Sequence, residues 1–151
     1  PRSTPLYSSA ASDVYKRQDF IGETSLEEYF ALSELSLGYI GMDTLNMHIA
    51  ASQNKQIFLI SGPTNLKMWS PWSNQLKLSA REDNPVQTYG NITIFQANMP
   101  CVACGKAGCG DLHENSDCLD NISPIDIYKE VNNFFAHFAY KATIPIQTKS
   151  L

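Results

Sequence analysis

The sequence has no long apolar run, no basic stripe and no internal repeat, and each absence removes a class of function. Nothing in it approaches the roughly 18 consecutive apolar residues that a membrane-spanning helix needs, so a transmembrane segment is not expected. Lys and Arg number 11 against 15 Asp and Glu in 151 residues. So few cations, scattered along the chain, make a poor partner for a phosphodiester backbone or an anionic bilayer. No secretory leader is visible, and the reading is a soluble intracellular chain that does not bind nucleic acid.

What is present is the composition of an ordinary globular domain, 43% hydrophobic and 17% charged, long enough to bury one sizeable core. The opening "PRSTPLYSSAASDVYKRQ" stands apart. It lacks apolar periodicity, is rich in Ser and Ala, and resembles a translated cloning or sequencing adapter, so residues 1–18 are set aside from fold reasoning. Arg2, Lys16 and Arg17 against Asp13 give that segment +2; taking this from the chain's −4 leaves −6 for the remainder, an acidic domain. The domain is read as 19–139 and the tail as 140–151.

Ser25 followed by Glu28 fits a capping box, and the apolar positions of "SLEEYFALSEL" run at near-helical spacing, which predicts a helix of about three turns. "LGYIGM" (37–42) and "QIFLI" (56–60) read as buried strands, the second broken at once by "SGPTN". Residues 43–55 between them are about the length a helical crossover needs, so the expectation is strand, helix, parallel strand, with a ligand crevice at the strands' carboxyl ends. Asp43, Thr44 and the Gly62-Pro63-Thr64 turn fall at that edge. "QLKLSA" and "NITIFQA" are predicted as short strands separated by a polar, proline-containing loop. Ser123 and Pro124 then supply an N-cap and first-turn proline for an amphipathic helix from 124 to about 139, with Ile127, Val131, Phe134 and Phe138 on its inner face. The class is α/β, a Rossmann-like partial domain.

Two clusters carry chemistry. In "MDTLNMHIAA", a helix starting near Thr44 places residues 44 and 48 one turn apart on one face. The helix's free N–H groups and positive dipole end favour a phosphate there, with the Thr44 hydroxyl and His48 imidazole addressing the same ligand. The plainer alternative is that Asp43 and Thr44 only cap the helix and that His48 is an ordinary surface or core residue. The second cluster is Cys101, Cys104, Cys109 and Cys118, spaced C-x2-C-x4-C-x8-C with His113 between the last two. It suits a tetrahedral zinc, with His113 able to replace one thiolate, or else free or disulfide-linked thiols; an iron–sulfur cluster fits less well. Trp69 and Trp72 are read as covering a core edge rather than lining a groove, and His137 as structural.

From about Asp19 to Phe138 the chain resembles the latter part of the nucleotide-binding C-terminal domain of glycosyltransferase family 9, whose best-known members are the ADP-heptose:lipopolysaccharide heptosyltransferases. Five pieces come in family order: "FIGETSLEEYFAL", "YIGMDTLNMHIAA", "LISGPTN", the cysteine loop and "CLDNISPIDIYKEV". The resemblance implies the C-terminal lobe of a GT-B fold, truncated on its N-terminal side, with the catalytic base in an N-terminal domain outside this sequence. It implies no organic cofactor, an ADP-sugar donor and a lipid-linked saccharide acceptor met at the cytoplasmic face of the inner membrane. The family's D-[ST]-G-x-x-H segment assigns Asp43 to sugar hydroxyls, Thr44 and the N–H groups of 44 and 45 to phosphates, and His48 to the support of that turn. Thr24, in the turn beside the adenine, is expected as a backbone contact, and Gly62-Pro63-Thr64 as a structural turn at the rim. Leu45 stands where the family has glycine, a residue that permits close approach to phosphate or a positive φ. Two rival readings are a small zinc-binding interaction module and a degenerate, non-catalytic lobe. The acidic surroundings of the cysteines (Asp111, Glu114, Asp117) disfavour the first as a nucleic-acid binder.

Overall fold

The computed structural model describes residues 18–83, 85–111 and 115–143. Ser25 and Glu28 form the predicted reciprocal cap: the Glu28 N–H donates to the Ser25 hydroxyl at 3.2 Å and the Ser25 N–H to the Glu28 carboxylate at 2.8 Å. Helix α1 (Leu26–Leu35) follows. Strand β1 (Gly38–Met42), helix α2 (Leu45–Ser52) and strand β2 (Gln56–Ser61) then give the expected unit, with β1 and β2 parallel and Gly38 opposite Gln56. A short helix, α3 (Leu66–Trp69), leads to β3 (Val86–Tyr89) and β4 (Ile92–Gln96). β4 lies parallel to β2 and antiparallel to β3, and the sheet order is β1-β2-β4-β3.

Two expectations need correction. "QLKLSA" is not a strand. Ser73 closes a tight turn there, accepting from the Lys77 N–H at 2.8 Å and donating its own N–H to Leu78 at 2.9 Å, and Lys77 takes a left-handed φ of 55°. The strand lies instead inside the proline-containing segment, immediately after Pro85. A hairpin through Gly90 and Asn91 makes it: Gly90 has φ 56°, and a Cβ on it would come within 2.6 Å of the Ser73 hydroxyl. Two-residue hairpin turns favour Gly and Asn for this reason. The last helix, here α5 (Pro124–Thr143) after a short α4 (Asp117–Asp120), runs past its predicted end near 139. The side chain of Phe138, residues 1–17, His113 and residues 144–151 lie outside the described residues.

Successive residues of a strand face opposite sides of the sheet, and both sides are covered at β2 and β4, whereas β1, expected to be buried, is an edge strand with Ile40 and Met42 exposed. Ile57, Leu59, Ile92 and Ile94 pack with Met47, Ala50 and Ala51 of α2 and with Leu66. On the other side Phe58 meets Phe134 of α5 edge to face, with ring centroids 5.9 Å apart. Cover on both faces explains why the centre of β2, Ile57 to Ile60, reads as an unbroken apolar run and why even Thr93 of β4 is buried. Ile94 is fully buried at the centre of this core. Ile94→Ala is expected to destabilise the protein by about 2–5 kcal/mol, read as a lower urea midpoint with an unchanged slope.

Candidate functional site

Parallel pairing of β1, β2 and β4 brings their carboxyl ends to one edge, and the segments leaving that edge meet there. Asp43 follows β1 directly. Thr44 occupies the cap position of α2 with extended φ −145° and ψ 171°, but its side chain makes no capping hydrogen bond. Its hydroxyl lies 3.3 Å from the phenolic oxygen of Tyr39. The simple capping role is therefore not the one Thr44 performs, and the first turn of α2 is left without a side-chain cap.

His48, one turn along α2, stands 3.8 Å from the Asp43 carboxylate through Nε2. Burial pushes the Asp43 carboxyl above its ordinary value, opposed by the positive field of His48 and by the neighbouring Thr64 side chain. Thr64 belongs to the turn after β2, where its hydroxyl lies 3.3 Å from that of Ser61. The Thr64 turn is itself fastened: the Gln96 side-chain amide at the end of β4 lies 3.4 Å from the carbonyls of Gly62 and Thr64, and the Gly105 N–H donates to the Pro63 carbonyl at 2.9 Å. Leu119 of α4 covers Gly62, where a Cβ would sit 3.2 Å from its methyl carbon. The turn that carries Thr64 is thus pinned from three elements, which sets it beside the acid of the site.

Leu45, expected to stand in place of a glycine, lies in the first turn of α2 without a left-handed φ and is 61% exposed. Thr24 is separate from Asp43, Thr44 and His48. It lines a cleft of about 600 Å³ with Phe20, Tyr29, Ser33, Tyr39 and Asn46, a volume suited to a small-molecule ligand. Tyr39 belongs to both places, lining the cleft and touching Thr44. Sequence reasoning missed Tyr39 and Asn46. The spacing Tyr39-x-Gly41 was the available signal, since it sets a long polar-tipped ring beside a residue with no side chain.

All four cysteines carry free thiols and line one small cavity of about 20 Å³ with Pro63, room for a single ion or water. Burial, with Cys109 and Cys104 close by, pushes the Cys118 thiol up. Among the described residues no group of three or more His, Cys, Asp or Glu side chains is arranged to hold a metal ion. Donor chemistry and cavity size suit zinc, while the placement of the side chains is not that of a formed ligand set.

With this geometry in view, the comparisons with known proteins are direct. The chain matches glycosyltransferase family 9 (heptosyltransferase) over residues 9–96, more than half its length, and it belongs to that family. The match begins inside the adapter-like stretch and ends with β4, before the cysteine loop. No curated protein and no solved structure matches the chain. The mixed α/β architecture and mostly parallel sheet are compatible with a Rossmann-like glycosyltransferase fragment. No helix among the described residues is long and apolar enough to cross a membrane.

The Asp43 shift fixes a pH dependence. A carboxyl raised above its unfolded value, near 3.8, adds to stability below that value, and the contribution is lost as pH rises through the folded value. Asp43→Asn is therefore expected to be more stable relative to wild type at pH 7 than at pH 3. Urea unfolding at the two pH values reads this, and equal differences would count against a raised carboxyl.

Proposed function

We propose that the chain is the donor-binding lobe of its glycosyltransferase, the C-terminal lobe of a GT-B enzyme that transfers heptose from ADP-heptose to a lipopolysaccharide core acceptor. One observation carries the reading: the Asp43-Thr44 turn stands at the uncapped N-terminus of α2, at the carboxyl end of a parallel strand, beside the Thr24 cleft. Ligands of open α/β sheets bind at that edge.

In this reading the adenosine occupies the cleft past Thr24, and the diphosphate meets the Thr44 hydroxyl and the first N–H groups of α2. Asp43 accepts from sugar hydroxyls, with His48 3.8 Å away on the next turn of α2. The lobe's share of the chemistry is electrostatic. As the bond between sugar and diphosphate breaks, negative charge grows on the leaving phosphate, and oriented N–H groups at a helix end stabilise it without reorganising. The base that takes the proton from the acceptor hydroxyl belongs to the partner domain. Support for further chain beside this lobe comes from β1, an edge strand with Ile40 54% and Met42 41% exposed, and from α1, whose Leu26 and Leu35 are also exposed. Parallel sheets are ordinarily covered on both faces. The reading carries a cytoplasmic location, peripheral to the inner membrane, where a lipid-linked acceptor is met.

Thr44→Ala in the intact enzyme is expected to weaken ADP binding about tenfold or more, tenfold being the lower end for a hydrogen bond to a charged group, measured by calorimetry. Unchanged affinity would remove the phosphate site, and an intact protein that binds no ADP at all would be a non-catalytic lobe.

The cysteine loop is proposed as a structural clip closed by zinc, supported by four thiols around one ion-sized cavity. It bears on the Gly62-Thr64 turn through Gly105 and Pro63. Metal analysis of the intact protein is expected to find about one zinc per chain, lost in Cys118→Ser. Four freely titrating thiols and no metal would refute the clip.

A further inference from the structure

Tyr39 lies in β1 two residues before Gly41, on the same side of the strand. Its ring runs along the strand over that glycine: a Cβ on Gly41 would come within 2.6 Å of the phenolic oxygen. The ring thereby reaches the end of its own strand, where the hydroxyl donates to the Met42 carbonyl at 2.8 Å and lies 3.3 Å from Thr44 Oγ1. A phenol has one proton to give. With that proton on Met42, the Tyr39 oxygen can only accept from Thr44, and the Thr44 proton is directed at the ring and away from the space in front of α2. A fully ionised phosphate oxygen is only an acceptor, so it requires that proton pointed outward.

We propose that Tyr39 is a positioning residue of the diphosphate site. When a diphosphate arrives at the start of α2, the Tyr39 O–H rotates from the Met42 carbonyl to Thr44 Oγ1, and the Thr44 proton turns to a phosphate oxygen. No proton is transferred; two hydroxyl rotors turn. In the resulting chain Thr44 both accepts and donates, and hydrogen bonds in such chains polarise one another in the same sense. The Met42 carbonyl is at an exposed position, so water can replace the donor it loses. The same ring lines the Thr24 cleft, which makes Tyr39 the physical link between the nucleoside and diphosphate halves. Gly41 is the residue that lets the ring lie down far enough to reach. This inference rests on reading the Asp43-Thr44 turn as a phosphate site.

The test is a double-mutant cycle on the intact protein, with calorimetric affinities for ADP and for adenosine, which has no phosphate. Tyr39→Phe keeps the ring and removes only the hydroxyl; Thr44→Val keeps the shape and removes the partner. Tyr39→Phe is expected to weaken ADP about 3- to 10-fold, the worth of one net hydrogen bond, to leave adenosine unchanged, and to add nothing in the Thr44→Val background. If Thr44→Val weakens ADP and Tyr39→Phe does not, the positioning role is wrong while the phosphate site stands. Equal loss for ADP and adenosine, or full additivity of the two substitutions, would show a merely structural tyrosine. If Thr44→Val leaves ADP affinity unchanged, the phosphate site and the role of Tyr39 fall together.

Discussion

Parallel pairing of β1, β2 and β4 is the constraint from which the site follows. Strands that run in the same direction deliver their carboxyl ends to one edge, and the chain must leave each end by a turn. Three such turns therefore converge whatever their sequences: Asp43-Thr44 after β1, Gly62-Thr64 after β2, and the approach to the cysteine loop after β4. Their side chains then tie the edge together. Thr64 neighbours Asp43, Gln96 reaches the Gly62 and Thr64 carbonyls, and Gly105 holds Pro63. Each of these contacts spans strands that are distant in sequence, and each would be lost with a change of register.

The same geometry sets the electrical character of the edge. Asp43 is drawn partly out of water, which opposes its ionisation, while His48 and Thr64 favour it. A carboxylate held in this way is costly for the fold and useful to a ligand rich in hydroxyl donors. The start of α2 contributes the opposite sign through its N–H groups. The ligand proposed for this edge, with hydroxyls at one end and phosphates at the other, would find complementary partners there, in keeping with the glycosyltransferase family to which the chain belongs. Leu45 fits this arrangement because the backbone there is already helical and its side chain is directed to solvent.

Much of the fold was legible along the chain. The Ser25–Glu28 box, the apolar runs of β1 and β2, the crossover between them, and the Ser123-Pro124 start of α5 are local signals, each with a mechanism acting within a few residues. The errors also have local causes. "QLKLSA" alternates like a strand, yet a left-handed Lys77 and the Ser73 turn fold it back on itself. "VQTY" has little apolar content and becomes a strand because the Gly90-Asn91 turn lays it against the fully buried β4. Alternation reports a face to be buried, and it cannot say whether an edge is available for pairing.

The site divides in the same way. The placement of Asp43, Thr44 and His48, the proposed site residues, at a strand-to-helix turn was legible in the sequence because helix spacing puts 44 and 48 one turn apart. The sequence by itself determined the elements, their order, the parallel unit and the residues at its turn, since these depend on periodicity, caps and loop length. Tertiary structure alone decided that Thr64 would neighbour Asp43, that Thr24 and Asn46 would share a cleft, and that four cysteines would face one cavity. It also decided that Thr44 would turn to Tyr39 instead of capping its helix. Those outcomes depend on which atoms meet across the sheet edge, a property of packing that no window of sequence contains.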